Sequence, residues 1–519
     1  MRANSGKPAI LFLVLLLLVT ANTVFAESTR DDNVFAPAVV NETTSCTVIV
    51  NEGQSIQAAV DSARSGAVIC VRNGTYVGQV LIKPAQAGVT LMAYPGEQPI
   101  IDGRGTFPVI TTRNKFPGLV QITGSNVVVD GFDVRNSNAR GISVAQPATA
   151  TPLQNVIVRN NIVQNSKGAG IIINGGAKAD PRNVLIENNT VYNNLLNNAG
   201  GGKGGSALTF VEVQNSTARG NRVYHNYGEG IVSGRYTNGI VLEGNMTYDN
   251  QGANLYLVNT QNPIVDGNYI FCTDDPIGWR GTGSARRAGP GLQVRDESFP
   301  GQSTTPAASS GQIIINNIVV GCGSNFGVSS QITGGGLNNA VVANNTFVNA
   351  RGVSATGVNN VELDGKASYR NTRFANNIIL QTIPGTATRI QTTKATPNLS
   401  TFSLSNNLYN QTPSGGWPAS EPGRVIGQPQ LANVVTPLRS LIPTPDSFAL
   451  TAGSPAIDGG TGVAQVTDDF FGQARSGAPD IGADEFGGGN EFPIPGPAGA
   501  TATGQTTDGL APDAPAVGP

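Results

Sequence analysis

Charged side chains make up only 13% of this chain, and one segment concentrates them. The run FCTDDPIGWRGTGSARRAGPGLQVRDESFPG holds Asp274, Asp275, Trp279, Arg280, Arg286, Arg287, Arg295, Asp296 and Glu297. A second segment, NNAGGGKGGS, sets Lys203 in a glycine stretch, and between the two lie Asp249 and the single histidine, His225. Together these side chains hold the ingredients for β-elimination of a uronate polysaccharide. That reaction needs a cation to neutralise the sugar carboxylate and a base to take the proton from the adjacent carbon. Asp249, Asp274 and Asp275 are candidate Ca²⁺ ligands, and Lys203, Arg280, Arg286 and Arg287 are candidate bases or carboxylate clamps. Trp279, His225 and Arg295 are candidate substrate contacts, with Trp279 suited to stacking on a sugar ring. The competing reading is a solvated loop whose charges pair with one another.

What positions these residues is an internal repeat. The pattern "strand, Asn-Asn or Asp-Gly, strand, Asn, Gly-Ile, strand" can be indexed on the second residue of each Asn/Gly pair. The index falls at Gly103, Gly131, Asn161, Asn189, Asn221, Asn245, Asn268, Asn317, Asn345, Asn377 and Asn407. The shortest spacings are 23 and 24 residues, with no helical stripe. That is the length of one turn of a parallel β-solenoid: three short strands joined by tight turns, each coil about 4.8 Å above the last. Three positions after the index, Tyr192, Tyr224, Tyr248 and Phe271 are predicted to stack. Four positions after it, Asn165, Asn193, His225, Asp249 and Cys272 share a turn, so His225 is expected beside Asp249. Their bland reading is as members of a hydrogen-bonded turn ladder, since Asn tolerates the left-handed backbone of such turns.

From the index to the Gly-Ile step the distance is usually 9 or 10 residues, but from Asn189 to Ala207 it is 18 and from Asn268 to Gly291 it is 23. Both insertions leave at the same turn, three coils apart, and so overhang one side within about 15 Å of each other. That overhang is the expected groove.

The repeat resembles right-handed parallel β-helix proteins, the architecture of pectate lyases and related polysaccharide-degrading enzymes, over residues 46 to 410. The fold so implied is all-β: a single-stranded right-handed parallel β-helix with an N-terminal helical cap, offered by Ser55 as N-cap and by Ile56, Ala59, Val60 and Ala63 on one face. In this architecture the base of a lyase is often Lys or Arg. The Gly-His-Gly step of polygalacturonase-like hydrolases is missing, as are the Trp-Ile-Asp-His and Arg-x-Pro-x-x-Arg signatures of the main pectate lyase family. The resemblance therefore carries over the fold and no catalytic set. The segment SPAIDGGTGVAQVTDDFFGQARSGAPDIGADEF is similar to the closing segment of many secreted bacterial β-helix proteins. Its pattern maps onto Asp458, Asp469, Gly472, Arg475, Asp480 and Glu485, read either as a calcium site or as Arg475 locking a terminal hairpin.

Arg2, Lys7, an apolar run from Ala9 to Val19 and a small-residue exit at Ala26 read as a secretory signal. The expected layout is a signal peptide at 1–26, a linker at 27–45, a cap and first coil at 46–100 and the β-helix at 101–440. A closing segment at 441–487 and a Pro/Gly/Thr-rich tail at 488–519 complete it. Export makes disulfides plausible. Of three connectivities, Cys46 with Cys70 and Cys272 with Cys322 are local in this layout; free thiols are the alternative.

Composition agrees. The chain has 66 Gly and 32 Pro in 519 residues, about 19% against an ordinary value of about 12%. Aromatics are 6% and apolar residues 39%, which excludes a helical bundle and wholesale disorder. A formal charge of −2 with no run of Lys or Arg argues against nucleic acid as a partner. The expectation is a monomer, secreted or at the cell surface, free of the membrane after signal cleavage. It acts on or binds an acidic glycan, as a Ca²⁺-dependent lyase first. A non-catalytic glycan-binding or scaffold protein is the alternative, and a hydrolase or epimerase comes third.

Overall fold

The computed structural model describes residues 45–488, apart from 111–115, 200–203, 281–286, 300–306, 355–356, 384–388, 392–397, 414–416 and 419. The signal peptide, nearly all of the linker and tail, Lys203 and Arg286 lie outside the described residues, and the side chains of Trp279, Arg280 and Arg287 do too. Three long sheets of 13, 12 and 13 strands are built from strands that pair in parallel with their counterparts one coil away, apart from the short antiparallel strand Val353–Ser354 at one end of the 12-stranded sheet. We label them in chain order within a coil: Val128–Asp130 lies in sheet A, Asp133–Arg135 in sheet B and Arg140–Ala145 in sheet C. The chain then re-enters sheet A at Gln154–Arg159. This is the single-stranded parallel β-helix expected from the repeat. Its N-terminal end is covered by helix Ile56–Ser62, whose N-cap Ser55 accepts from the Ala58 N–H at 3.1 Å while Ile56 and Val60 are buried.

The repeat residues explain why the coils stack. At the A-to-B turn an αL residue, such as Asn160 at φ 56° or Asn316 at φ 54°, precedes the index position. There the buried amide of each index asparagine donates to the next. From Asn161 through Asn189, Asn221, Asn245, Asn268, Asn317, Asn345 and Asn377 to Asn407 these bonds are 2.9–3.0 Å. Buried amides survive only when paired, and here every coil supplies the acceptor for the coil before it. The series ends on Glu421, which accepts from Asn407 N and Nδ2 at 3.0 and 2.6 Å and from Tyr409 Oη at 3.0 Å. Glu421→Ala strips this terminal acceptor from buried donors. We expect a loss of roughly 1–3 kcal/mol in urea unfolding, with fraying confined to the last coils by hydrogen exchange.

On the outer face of sheet B the predicted aromatic stack is present. Ring centroids are 5.1 Å apart for Tyr192–Tyr224, 4.8 Å for Tyr224–Tyr248 and 4.5 Å for Tyr248–Phe271, with interplanar angles of 10° or less. Because the faces of these rings are spent on one another, and Tyr192 Oη donates to Gln164 at 2.8 Å, the stack is structural and offers no platform to a sugar ring.

The closing segment lies on the same face. Phe448, Leu450, Ala456, Phe470, Ile481 and Ala483 pack against a row that runs from Met246 and Tyr248 through Tyr269 and Phe271 to Leu408. Arg475 is 3% exposed at its side chain and pairs with Glu485 at 3.1 Å. It also donates to the carbonyls of Asp468, Gly482 and Ala483 at 2.9–3.1 Å. Asp469 and Asp480 are taken by backbone N–H groups, Asp469 by Phe471, Gln473 and Glu485 and Asp480 by Asp458 and Phe486. The closing pattern is thus an arginine lock, and its carboxylates serve as backbone acceptors.

Both expected disulfides are present, Cys46–Cys70 and Cys272–Cys322, with Cα–Cα separations of 5.6 and 4.8 Å.

Candidate functional site at the B-to-C corner

Both insertions leave at the B-to-C turn. The first lies between strands Thr190–Tyr192 and Ser206–Val211, the second between Tyr269–Phe271 and Leu292–Asp296. Between their roots the turn repeats an αL residue: Asn165, Asn193, His225 and Asp249 have φ of 56°, 52°, 53° and 49°. The amide ladder one residue on runs from Asn194 to Asn226 at 3.2 Å and from Asn226 to Asn250 at 2.9 Å. After Asn250 the ladder changes course. Asn250 donates to Asn254 at 3.0 Å, Asn254 Nδ2 reaches Cys272 Sγ at 3.1 Å, and Thr273 is drawn away by the insertion that it opens.

Thr273 instead binds Asp249, with its N–H and hydroxyl donating to Oδ1 and Oδ2 at 2.7 Å each. The Thr273 hydroxyl oxygen in turn accepts from the Asp275 N–H at 3.0 Å. A methyl at Gly278 would meet Asp249 Cα at 2.8 Å, so the first turn of the insertion rests directly on Asp249. These contacts bring Asp275, itself 1% exposed, to the histidine: His225 Nε2 is 3.4 Å from Asp275 Oδ2 and 3.9 Å from Asp249 Oδ2. The imidazole lies edge-on to Tyr224 and Tyr248, at centroid distances of 5.0 and 6.0 Å. Beyond Asp275 the insertion continues as an antiparallel pair, Trp279–Arg280 with Arg287–Ala288.

Arg439 also faces this group, and sequence reasoning did not select it. Its Nε is 3.3 Å from Asp275 Oδ2, and its N–H donates to Asp274 Oδ1 at 2.6 Å. Arg351 closes the other side, with Nε donating to Gly321 O at 2.8 Å and Nη2 to Cys272 O.

Burial sets the protonation states. It pushes Asp249 up to about 7 against the two Thr273 donors, with Asp275 adding to the rise and Arg351 opposing it. Burial holds His225 below its usual value, helped by Arg439 and Arg222 and opposed by Asp275. A neutral imidazole beside a carboxylate is suited to accepting a proton.

The three carboxylates expected to bind Ca²⁺ do not converge on one point. Asp249 is held by Thr273, Asp274 by the Arg439 N–H, and Asp275 faces His225 and Arg439. No group of three or more His, Cys, Asp or Glu side chains among the described residues has the geometry to hold a metal ion. Arg295 lies elsewhere, on sheet C in the strand Leu292–Asp296. Its Nε is 3.6 Å from Glu297, which accepts from Tyr256 Oη at 2.8 Å. Nearby on that sheet's outer side, Arg235 is 3.6 Å from Glu212 and lies 5.0 Å over the Phe299 ring.

The carboxyl shifts carry a sign that can be checked. Asp249 at about 7 and Asp484 at about 6, the latter also raised by burial, both lie above the unfolded value near 4. The folded chain therefore binds more protons than the unfolded chain between about pH 4 and 7. These groups' contribution is complete below that window and is lost as pH rises through it. His225, depressed in the fold, opposes this below about pH 6.5. Urea midpoints are expected to be higher near pH 5 than near pH 8, with Asp249→Asn flattening the difference. A midpoint that climbs with pH contradicts this assignment.

Residues 116–284 match the family described as right handed beta helix region. Among solved structures the chain is similar to XylC in complex with xylose, with a TM-score of 0.50 and 12% identity over 84% of this chain and 98% of that one. It is also similar to pectate lyase Pel9A, with a TM-score of 0.47 and 16% identity over 85% and 97%. The Streptococcus pneumoniae surface protein and adhesin PfbA gives 0.41 and 11% over 68% and 87%. No curated protein matches the sequence. Sheet topology and the family match over residues 116–284 agree, and the fold is a right-handed parallel β-helix.

Proposed function

We propose that this is an exported protein that acts on an acidic polysaccharide by β-elimination, with His225 as the base. The observation that carries this reading is the approach of His225 to buried Asp275 at the root of the charged insertion. In this reading Asp275 orients the imidazole at Nε2, which leaves the lone pair on Nδ1 to take the proton from the carbon bearing the sugar carboxylate. The bond from the neighbouring carbon to the glycosidic oxygen then breaks, a double bond forms between the two carbons, and the oxygen leaves with a proton. The cationic partner is assigned to Arg280 and Arg287, whose backbones pair across the hairpin that follows Asp275. Two disulfides support an oxidising, extracellular setting.

Incubation with pectate, alginate and other uronate polymers, each with and without added Ca²⁺, is expected to yield unsaturated products absorbing in the ultraviolet. Absence of that signal with every uronate polymer rejects the reading. The second reading, a glycan-binding protein without turnover, is favoured by Tyr256, Arg295 and Arg235 on the outer side of sheet C. It predicts glycan retention that is lost on Arg295→Ala and no product.

A further inference from the structure

The corner group is finished by a residue that reaches it from another part of the chain. Arg439 sits 164 positions after Asp275 by number, in the tight turn Leu438–Leu441, which is closed by two reciprocal backbone bonds of 2.9 Å. The turn is fixed on its far side by Tyr269 Oη, which donates to Pro443 O at 2.6 Å from a fully buried ring. On its near side the Arg439 N–H is tied to Asp274 at 2.6 Å. The guanidinium and the imidazole thus approach the same oxygen, Asp275 Oδ2, at 3.3 and 3.4 Å. Asp275 is held at its own N–H by Thr273, and its carboxylate is held by Arg439. The other charged or titratable groups around the histidine are Asp249 and Asp274, with Arg222 and Arg351 and the phenols of Tyr224 and Tyr248.

We propose that Arg439 is a positioning residue for His225: it fixes the Asp275 carboxylate that orients the imidazole, so the segment after the last coil completes the acid–base group. This rests on the proposed role of His225, but it is tested apart from it. The chain has one histidine, so the imidazole signals in an NMR titration belong to His225 alone.

Arg439→Gln removes a positive charge and frees Asp275 to attract a proton to the ring, so the His225 midpoint is expected to move up. Arg439→Lys is expected to keep the midpoint near that of the parent. Arg439→Met repeats the neutral case should the glutamine variant not fold. With a uronate polymer, Arg439→Gln is expected to lower kcat between about 10- and 100-fold with little change in KM. The acid limb of its pH profile moves to higher pH, and Arg439→Lys recovers part of the rate. A midpoint unchanged in the neutral variants, or equal in the neutral and lysine variants, overturns the proposal. A parent protein without turnover rejects the lyase reading while the titration still decides the role of Arg439.

Discussion

His225→Asn is expected to reduce turnover of a uronate polymer by about 10²- to 10⁴-fold, the usual contribution of a positioned general base. Asparagine is the substitution of choice because the turn itself uses it. Asn193 and Asn165 occupy the equivalent αL positions one and two coils earlier, at φ of 52° and 56° against 53° for His225. The variant should therefore keep the coil, and its thermal midpoint should stay within a few degrees of the parent, because asparagine adopts the αL backbone of this turn without added strain. The measurement is initial rate by ultraviolet absorbance, paired with a thermal melt. A variant that retains more than about a tenth of the parent rate removes His225 from the chemistry. Loss of rate together with a large drop in stability assigns the histidine to the turn ladder instead.

The second large effect is on stability. Arg475→Ala is expected to destabilise the closing segment by about 3–5 kcal/mol, the cost of removing one partner of a buried ion pair and leaving its acceptors unmatched. Glu485 and a set of main-chain carbonyls lose their donor together, and so does Asn316 Oδ1, 3.2 Å from Nη2 on the solenoid itself. Hydrogen exchange should accelerate first across residues 448–486, and Tyr248 and Phe271 should gain accessibility once their cover loosens. A change below about 1 kcal/mol in urea unfolding shows that the lock is not what holds the segment.

Much of this fold is legible in the sequence because its turns are written in residue types with one backbone habit. Asparagine at two fixed offsets declares two corners, and alternation between them declares the strands. The local disulfides follow from that layout, and so does the proximity of His225 to Asp249. The pairing that matters chemically was less legible. The stack places His225 beside Asp249, yet the closer carboxylate is that of Asp275, because Thr273 claims Asp249 and turns the insertion back over the histidine. Arg439 left no periodic signal at all, since it lies beyond the last repeat and meets the site only through tertiary packing. The same blindness applies to the aromatic stack. Its rings are countable from the index, but the segment that covers them has no repeat to align with.

A solenoid whose coils touch only their neighbours behaves as a linear chain of weakly coupled units, and it can open from either end. The closing segment changes that arithmetic. It packs on the coil of Tyr248 and on the coil of Leu408 at once, and it binds Asn344, Asn376 and Asn406 on the way, at 2.8–3.0 Å. Coils far apart in the stack are thereby made to open together, like slats behind one cross-brace. The coils before that of Tyr224 lie outside the brace, so mechanical or thermal opening of this protein should start at its helix-capped end and halt at the coil that carries His225.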